Sequence, residues 1–574
     1  MAATRSAGRA PAPLTWVAGV AAVLLAAGLG ELVAIVVSPS SSPVAAIGSA
    51  LIDVAPPWAK DTAIALFGTA DKIALIVGIA LAMLVLAALA GWLQARRPPW
   101  GVVVIAAFGI TGAVVAATRP GAGALAWLPA LVAGAVGAVA LWLLVRLLQP
   151  AAAAPEPAGS ARDEPANPVA GPAAEVPAGP PAPAEPAAPV AASAADVPAG
   201  PAPARPVAAP AADMPAASPP SRRAFFAWAG AAAAAGILAT VVGVRGATSA
   251  TIAAVRRAVR LPQPAVAASA VPAGAELDIA GLADVVTPND RFYRIDTALI
   301  VPEVDPADWR LRVHGMVANE FELTWDELLA LPLEESWTTL TCVSNEVGGT
   351  LIGNARWLGY PLRELLARAR PAADADMVLS RSIDGFTAST PLEAVTDERN
   401  AILAVGMNGA PLPTEHGFPV RMVVPGLYGY VSATKWVVDL EVTRFDRATA
   451  YWTTRGWSER GPIKLQSRID VPRKGQGLKS GEVVVAGVAW QQQVGIEGVE
   501  VRIDEGEWTP ATLATAISDD TWVQWSFPWT ATTGDHVIQC RATSKAGEVQ
   551  TESTAPPAPD GATGWHWRTV SVFD

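Results

Sequence analysis

Before residue 150 the chain carries four apolar runs, roughly Leu14–Val37, Lys72–Leu93, Gly101–Thr118 and Ala124–Leu148. Each approaches the ~20 residues needed to cross ~30 Å of hydrocarbon. Lipid offers no partner to free backbone groups, so each run is expected to be a helix. The first run is too long for the apolar part of a cleavable signal, and further spans follow it. Residues 1–149 are therefore read as a four-helix transmembrane region. Arg5 and Arg9 precede the first run, Arg96 and Arg97 separate the second and third, and Arg146 closes the fourth. The opposite loops hold Lys60, Lys72 and Arg119. Basic residues collect on the cytoplasmic side, so this is expected to be a multi-pass plasma-membrane protein whose chain is back in the cytoplasm after the fourth span. Glu31 lies inside the first run and leaves two readings open: a functional intramembrane carboxylate, or a side chain near the outer end that faces the interface or stays protonated.

Residues 150–220 are almost wholly Ala and Pro with scattered acids. Such a stretch cannot bury a core and is expected to be a disordered cytoplasmic linker. Ser221-Arg222-Arg223-Ala224-Phe225-Phe226 and the apolar stretch to Val244 follow. Paired arginines before a moderately apolar helix resemble a twin-arginine export signal, so 221–246 is read as that signal and as a fifth span. Arg245, Arg256, Arg257 and Arg260 then fall outside, against the usual bias. A domain exported already folded tolerates them better than an unfolded one. That route implies a cofactor inserted before export. Residues 247–274 are read as a second linker.

From about residue 275 the composition is that of a globular protein. Short β-rich runs (Trp309–Val313, Met377–Ser382, Val420–Val424, Lys435–Val442) alternate with helical ones (Trp325–Leu331, Leu362–Ala369). This is an α+β pattern with a mixed sheet, over 275–450. The net charge of −11 argues against nucleic acid as a partner. Only two cysteines occur, Cys342 and Cys540. Cys342, in Thr339-Leu340-Thr341-Cys342-Val343-Ser344-Asn345, cannot build an iron–sulfur cluster alone but can bind one soft metal centre. The four histidines, His314, His416, His536 and His566, all lie outside the spans. No Cys-x-x-Cys-His occurs, so haem is expected neither in the membrane nor attached to the chain. Residues 451–574 turn to β, with Val483–Ala489, Val499–Ile503, Thr521–Phe527, His536–Thr543 and Trp567–Val572 as strands of an immunoglobulin-like sandwich. Cys540 is expected to be a buried small residue, and the tryptophans of this region to be packing.

The motifs of the middle region agree in order with one family. Thr287-Pro288-Asn289-Asp290-Arg291-Phe292-Tyr293, Asp308-Trp309-Arg310-Leu311-Arg312-Val313-His314-Gly315 and Leu323-Thr324-Trp325-Asp326-Glu327-Leu328 lead into the Cys342 segment. Ala355-Arg356-Trp357-Leu358-Gly359, Met407-Asn408-Gly409, His416-Gly417-Phe418-Pro419-Val420-Arg421 and Lys435-Trp436 follow. Residues 280–574 thus resemble the sulfite-oxidase family of molybdopterin enzymes. The resemblance implies that Cys342 is the protein's thiolate to molybdenum, beside the two sulfurs of the pterin. It assigns His416 and Arg421 to the cofactor phosphate, and Ala433, Thr434 and Lys435 to the pterin edge. Tyr293, Arg294, Asp296 and Thr297 fall on the family's first cofactor loop. Asp384 is either a further pterin contact or an Asx turn before Gly385. The C-terminal sandwich resembles the family's dimerisation domain, which implies a homodimer.

Departures from the family pattern bear on substrate. The cysteine motif usually continues Gly-Asn-Arg-Arg in this family; here it reads Ser344-Asn345-Glu346-Val347. A doubly charged oxyanion needs cations in a desolvated pocket, and Glu346 works against one. The family's substrate-facing tyrosine is Phe386 here. A neutral or less anionic small molecule is expected, with Glu346 either in proton transfer or at the surface. The expected activity is two-electron oxygen-atom transfer, with electrons exchanged with an external carrier such as a quinone-linked protein or a cytochrome. Two alternatives stay open: an S- or N-oxide reductase of the same family, and a membrane-anchored scaffold that keeps the fold without the metal.

Overall fold

In the computed structural model the residues described are 12–37, 41–54, 71–119, 122–148, 222–245, 248–298 and 300–574. The Ala/Pro linker expected over 150–220 lies outside them.

Among the described residues five helices are long and apolar enough to cross a membrane. We label the N-terminal helices α1 (Ala12–Val37), α2 (Pro43–Val54), α3 (Asp71–Arg96), α4 (Trp100–Ala117), α5 (Leu128–Leu148), α6 (Arg222–Arg245) and α7 (Thr248–Ala258). α2 has no counterpart in the sequence reading; at twelve residues it is too short to span. Glu31 is buried in α1, where it accepts a hydrogen bond from Ser42 Oγ at 2.7 Å and faces the amide of Val44 at the start of α2. Its carboxylate therefore anchors the short helix to the end of α1.

Apolar side chains gain little by leaving lipid for one another, so bundles are held by close backbone approach at small residues. Gly236 of α6 abuts the Leu24 carbonyl, and Gly28 of α1 abuts that of Gly236. Phe225, one turn into α6, packs in the cluster that holds Ala18 and Ala21. Rising numbers on α6 thus meet rising numbers on α1, so the two helices are parallel. Gly91 abuts Thr15 while Gly19 abuts Ala87, so α3 is antiparallel to α1. The same reading of Gly30 on Ala133 and Gly137 on Ala26 makes α5 antiparallel too. Gly236→Val is expected to cost about 1–3 kcal/mol by overpacking this seam. Disulfide trapping between cysteines placed on α1 and α6 checks it, with yield falling in the variant.

The middle region builds two sheets. One orders Phe321–Thr324, Arg310–Gly315, Val437–Thr443, Met377–Ser382 and Thr387–Pro391. Its pairing is mixed, because 310–315 and 437–443 run parallel while the other pairs are antiparallel. The other sheet orders Glu334–Thr341, Ile352–Pro361, Ile402–Met407 and Ala410–Pro411, with Arg421–Val423 also on 402–407. Trp309, Leu311, Leu328, Leu365, Leu403 and Val420 form a common core. The helix Leu362–Ala369 buries Leu362, Leu365, Leu366 and Ala369, the i, i+3, i+4, i+7 face its spacing predicts.

The C-terminal region folds as two further sheets. One orders Gln466–Val471, Gly481–Trp490, Val523–Ala531 and Thr512–Leu513; the other orders Gly477–Lys479, His566–Phe573, Gly534–Ser544, Ile496–Ile503 and Thr509–Pro510. Ile469, Val485, Val501, Trp525, Ile538 and Cys540 share the core between them. The interface with the middle region is tight. Trp490 and Trp522 belong to the middle core, Gln492 Nε2 donates to Thr339 O at 2.8 Å, and Arg468 Nη1 donates to Gly349 O at 2.8 Å.

The stretch 247–274, expected as a connector, is packed instead. α7 buries Ile252 against Phe292, Trp357 and Phe418. Ala265 and Val266 bond to the edge strand at Leu333 and Glu335. Residue pattern alone hides this, because among the described side chains of α7 only Ile252 is a buried apolar one.

Candidate active site

Cys342 follows directly on the strand Glu334–Thr341. Its amide donates to Leu351 O at 3.0 Å, and its carbonyl accepts from Asn345 N at 3.1 Å. The buried Asn345 side chain closes the turn by accepting from Leu351 N at 2.8 Å. Cys342 is 8% exposed. Burial pushes its pKa up, while the Ser344 amide, the Ser344 hydroxyl and the Lys435 ammonium oppose that. A thiolate at this position is thus solvated by two donors and a cation supplied by the fold.

A cleft opens from Cys342 between the two sheets. Tyr293, Asp296, Thr297, Asp384, Arg421, Ala433 and Lys435 line it with the cysteine. Arg421 is 4% exposed. It donates to three carbonyls, His416 O at 3.2 Å, Met422 O at 3.3 Å and Ala433 O at 3.4 Å, and lies 5.1 Å over the Trp357 ring. Among the described residues no carboxylate pairs with it, and burial pulls its pKa down to about 10. Lys435 Nζ donates to Asp296 Oδ2 at 2.8 Å and to Glu415 O at 3.0 Å. Burial outweighs the attraction of Asp296 and brings Lys435 to about 8. Tyr293 is half-buried, and its phenol is pushed far up by its desolvated surroundings and by the neighbouring Cys342, so it keeps its proton. Gly417 has φ +109°, and a Cβ there would press on Arg421 and Lys435.

Other expected residues stand behind the wall. His416 is 2% exposed, and its Nε2 bonds to Asn289 O at 3.1 Å. Thr434 Oγ1 pairs with Ser380 Oγ at 2.7 Å. Arg294 reaches the cleft only through Asp296, at 2.8 Å. Asp384 makes the Asx turn, Oδ1 accepting from Phe386 N at 3.1 Å, while Oδ2 accepts from Thr297 Oγ1 at 3.3 Å at the cleft. Glu346 is a correction. It is exposed and does not line the cleft, because the turn that buries Asn345 swings the next side chain outward.

Sequence reading missed the mouth. Beside Phe386, which the resemblance places at the substrate, Tyr430, Trp452 and Trp457 close it. Trp457 meets Trp452 edge-on at 6.1 Å and Tyr430 at 5.9 Å. The signal was the pair of tryptophans in Trp452-Thr453-Thr454-Arg455-Gly456-Trp457, which looked like a mere junction between domains.

The donor set fits a group that brings both a soft metal and a phosphate. The buried thiol suits the metal, and a buried guanidinium without a carboxylate suits the phosphate. Ser382 Oγ, on the cleft wall, is buried with no hydrogen-bond partner among the described residues. A buried hydroxyl left so is costly unless a bound group satisfies it.

Two buried imidazoles give the cofactor-free protein a pH dependence. Burial, with nearby cations, lowers His416 to about 4 and His566 to about 3, against 6.5 for an unperturbed ring. Between these limits the unfolded chain binds protons that the folded one refuses. Stability is then full above pH 6.5 and falls as pH drops towards 4, by up to about 1.4 kcal/mol per pH unit per ring. Denaturant unfolding at several pH values is expected to show this slope, and His416→Gln to flatten it.

Residues 298–452 match the family model for the oxidoreductase molybdopterin binding domain. The mitochondrial sulfite oxidase of Homo sapiens is 31% identical over 320 residues, which are 47% of this chain and 58% of that one. The chain therefore spans little more than half of that relative's length. The uncharacterized oxidoreductase YuiH of Bacillus subtilis is 32% identical over 157 residues, 27% of this chain and 76% of that one. The sulfane dehydrogenase SoxCD from Paracoccus pantotrophus aligns with a TM-score of 0.45 at 22% identity, over 54% of this chain and 91% of that one. With its thiol, its buried cations, the family model and the two relatives together, the chain belongs to the sulfite-oxidase family of molybdopterin-dependent oxidoreductases.

Proposed function

We propose that the chain is a membrane-anchored oxidoreductase that moves an oxygen atom to or from a small, uncharged substrate outside the cytoplasm. The observation that carries this is a buried thiol and a carboxylate-free buried arginine lining a single cleft. When bound, the molybdenum–pterin group supplies the two-electron couple, with water as oxygen source or sink. Cys342 would hold the metal. Arg421, with the His416 loop behind it, would hold the phosphate; Lys435, Asp296, Thr297, Ala433, Asp384 and Ser382 would orient the pterin. Tyr293 offers an uncharged O–H donor beside Cys342. Retention of these buried cations speaks against the scaffold alternative, since an unused buried charge is expensive.

The mouth supports an uncharged substrate. Its walls are aromatic, and the two cations of the cleft lie on the cofactor side. Phe386 and the indoles exclude water and favour a soft sulfur centre with apolar substituents. An S-oxide reductase therefore fits this opening as well as an oxidase does.

Packing directions support the topology. α1, α4 and α6 run one way and α3 and α5 the other, which brings Arg96, Arg97, Arg146 and Arg223 to one end of the bundle. That end is cytoplasmic by the basic-residue rule. The cofactor domain follows the opposite end of α6, as a twin-arginine signal over 221–246 requires. The two-sheet C-terminal region is read as an immunoglobulin-like sandwich that pairs two copies. Electrons pass to or from a carrier on the outer side.

The test is protein purified from a host able to make the pterin. Molybdenum with sulfur scattering in X-ray absorption, and turnover in a screen of sulfoxides, thioethers and sulfite with artificial donors and acceptors, are expected. Well-folded protein without molybdenum overturns the reading; turnover confined to sulfite overturns the uncharged-substrate part alone.

A further inference from the structure

The geometry points to α7 as a strap that ties the membrane anchor to the phosphate end of the cofactor cleft, with Arg256 as a positioning residue for cofactor retention. This rests on the cofactor reading above.

Two independent contacts carry it. Arg256 Nε donates to Leu412 O at 2.6 Å, and its Nη2 donates to Pro411 O at 2.7 Å. These carbonyls immediately precede the 3-10 turn Thr414–His416. That turn supplies the His416 carbonyl bonded to Arg421 and the Glu415 carbonyl bonded to Lys435. A fork of parallel N–H donors fixes two successive peptide planes at once, and so fixes how the turn leaves them. One turn earlier on α7, Ile252 is 8% exposed and packs in the cluster of Phe292, Trp357 and Phe418. Phe292 meets the His416 ring edge-on at 5.5 Å, and Trp357 lies beneath Arg421. The helix therefore supports His416 and Arg421 through side chains, and Arg421 and Lys435 through the backbone of the turn.

α7 lies outside residues 298–452, the part that matches the family model. It begins three positions after α6 ends, so the anchor and the helix that holds the cofactor loop are close neighbours in sequence. Where Arg421 and Lys435 hold an anion, their carbonyl partners set their aim. A loosened 411–416 segment would let both cations drift, and the group they hold would leave faster.

The experiment uses full-length, detergent-solubilised holoprotein. Cofactor release is followed as molybdenum and oxidised, fluorescent pterin lost on repeated gel filtration. Arg256→Ala is expected to release it on the order of ten-fold faster than wild type, because two charge-assisted bonds are lost, and Arg256→Lys is expected to restore part of that. Arg257→Ala, on the exposed side of α7, should match wild type. Ile538→Val, in the C-terminal core, supplies a variant of lowered melting temperature whose release stays slow. Release unchanged in Arg256→Ala, or equally fast in Ile538→Val at matched melting temperature, overturns the strap. Wild-type protein that holds no molybdenum overturns the cofactor reading first, and the strap with it.

Discussion

Replacing Cys342 with serine is expected to lower turnover by at least about a thousand-fold, equivalent to ~4 kcal/mol of barrier, while pterin binding survives. A serine oxygen is a harder and far less acidic ligand than a thiolate, and a softer metal state is held less well by it. The fold has no second thiol to offer. Cys540 sits in the C-terminal core at 0% exposure, bonded by Ser467 Oγ at 3.3 Å, with its own pKa pushed up to about 12. The proposed phosphate end of the cleft, Arg421 and the 414–416 turn, does not involve Cys342, so the pterin should remain. Pterin fluorescence after oxidation, kcat with artificial acceptors, and loss of one sulfur scatterer in X-ray absorption check the three parts separately. Retained turnover would remove Cys342 from the reaction.

Arg421→Met separates binding from folding by the sign of its two effects. In holoprotein, loss of the guanidinium is expected to weaken cofactor retention by roughly a hundred-fold, about 2.7 kcal/mol for a buried charge-assisted contact. In cofactor-free protein the same change removes a buried charge that no described carboxylate neutralises, and leaves a stem of similar volume over Trp357. The three carbonyl bonds it gives up are long, at 3.2 to 3.4 Å. The apo variant should therefore be as stable as apo wild type or more so, by about 1 kcal/mol. Melting temperatures of both forms with and without cofactor show it: the stabilisation that the ligand gives wild type should vanish from the variant. An apo variant that melts far below apo wild type would make Arg421 a structural residue.

Much of this was legible because the sequence carries periodic or chemical signals. The five spans announce themselves by length and composition. The helix Leu362–Ala369 shows its buried face in the spacing of Leu362, Leu365, Leu366 and Ala369. The cleft residues Cys342, Arg421 and Lys435 stood in motifs whose order points to one family. What stayed hidden depends on tertiary partners. The strand Glu334–Thr341 is rich in Glu and Thr and lacks an apolar alternation, because its threonines are spent on neighbours: Thr339 Oγ1 accepts from Trp522 N at 2.8 Å and donates to Asn354 Oδ1 at 3.1 Å. Glu346 looked chemical from its place in the motif, yet the turn closed by Asn345 faces it to solvent. Trp452 and Trp457 come from a segment with no pattern of its own and become a wall only when the two sheets meet.

The parallel seating of α6 on α1 also bears on how the molecule is made. On the proposed topology its helices enter the bilayer by two machineries, an early one that threads unfolded spans and a later one that carries a finished domain. The landing place for the last helix is then a groove prepared by the first, so biogenesis has a fixed order and the two halves remain unjoined until the metal is aboard. A cell starved of molybdenum would accumulate four-span bundles whose glycine-lined groove, at Gly28, stays open to lipid.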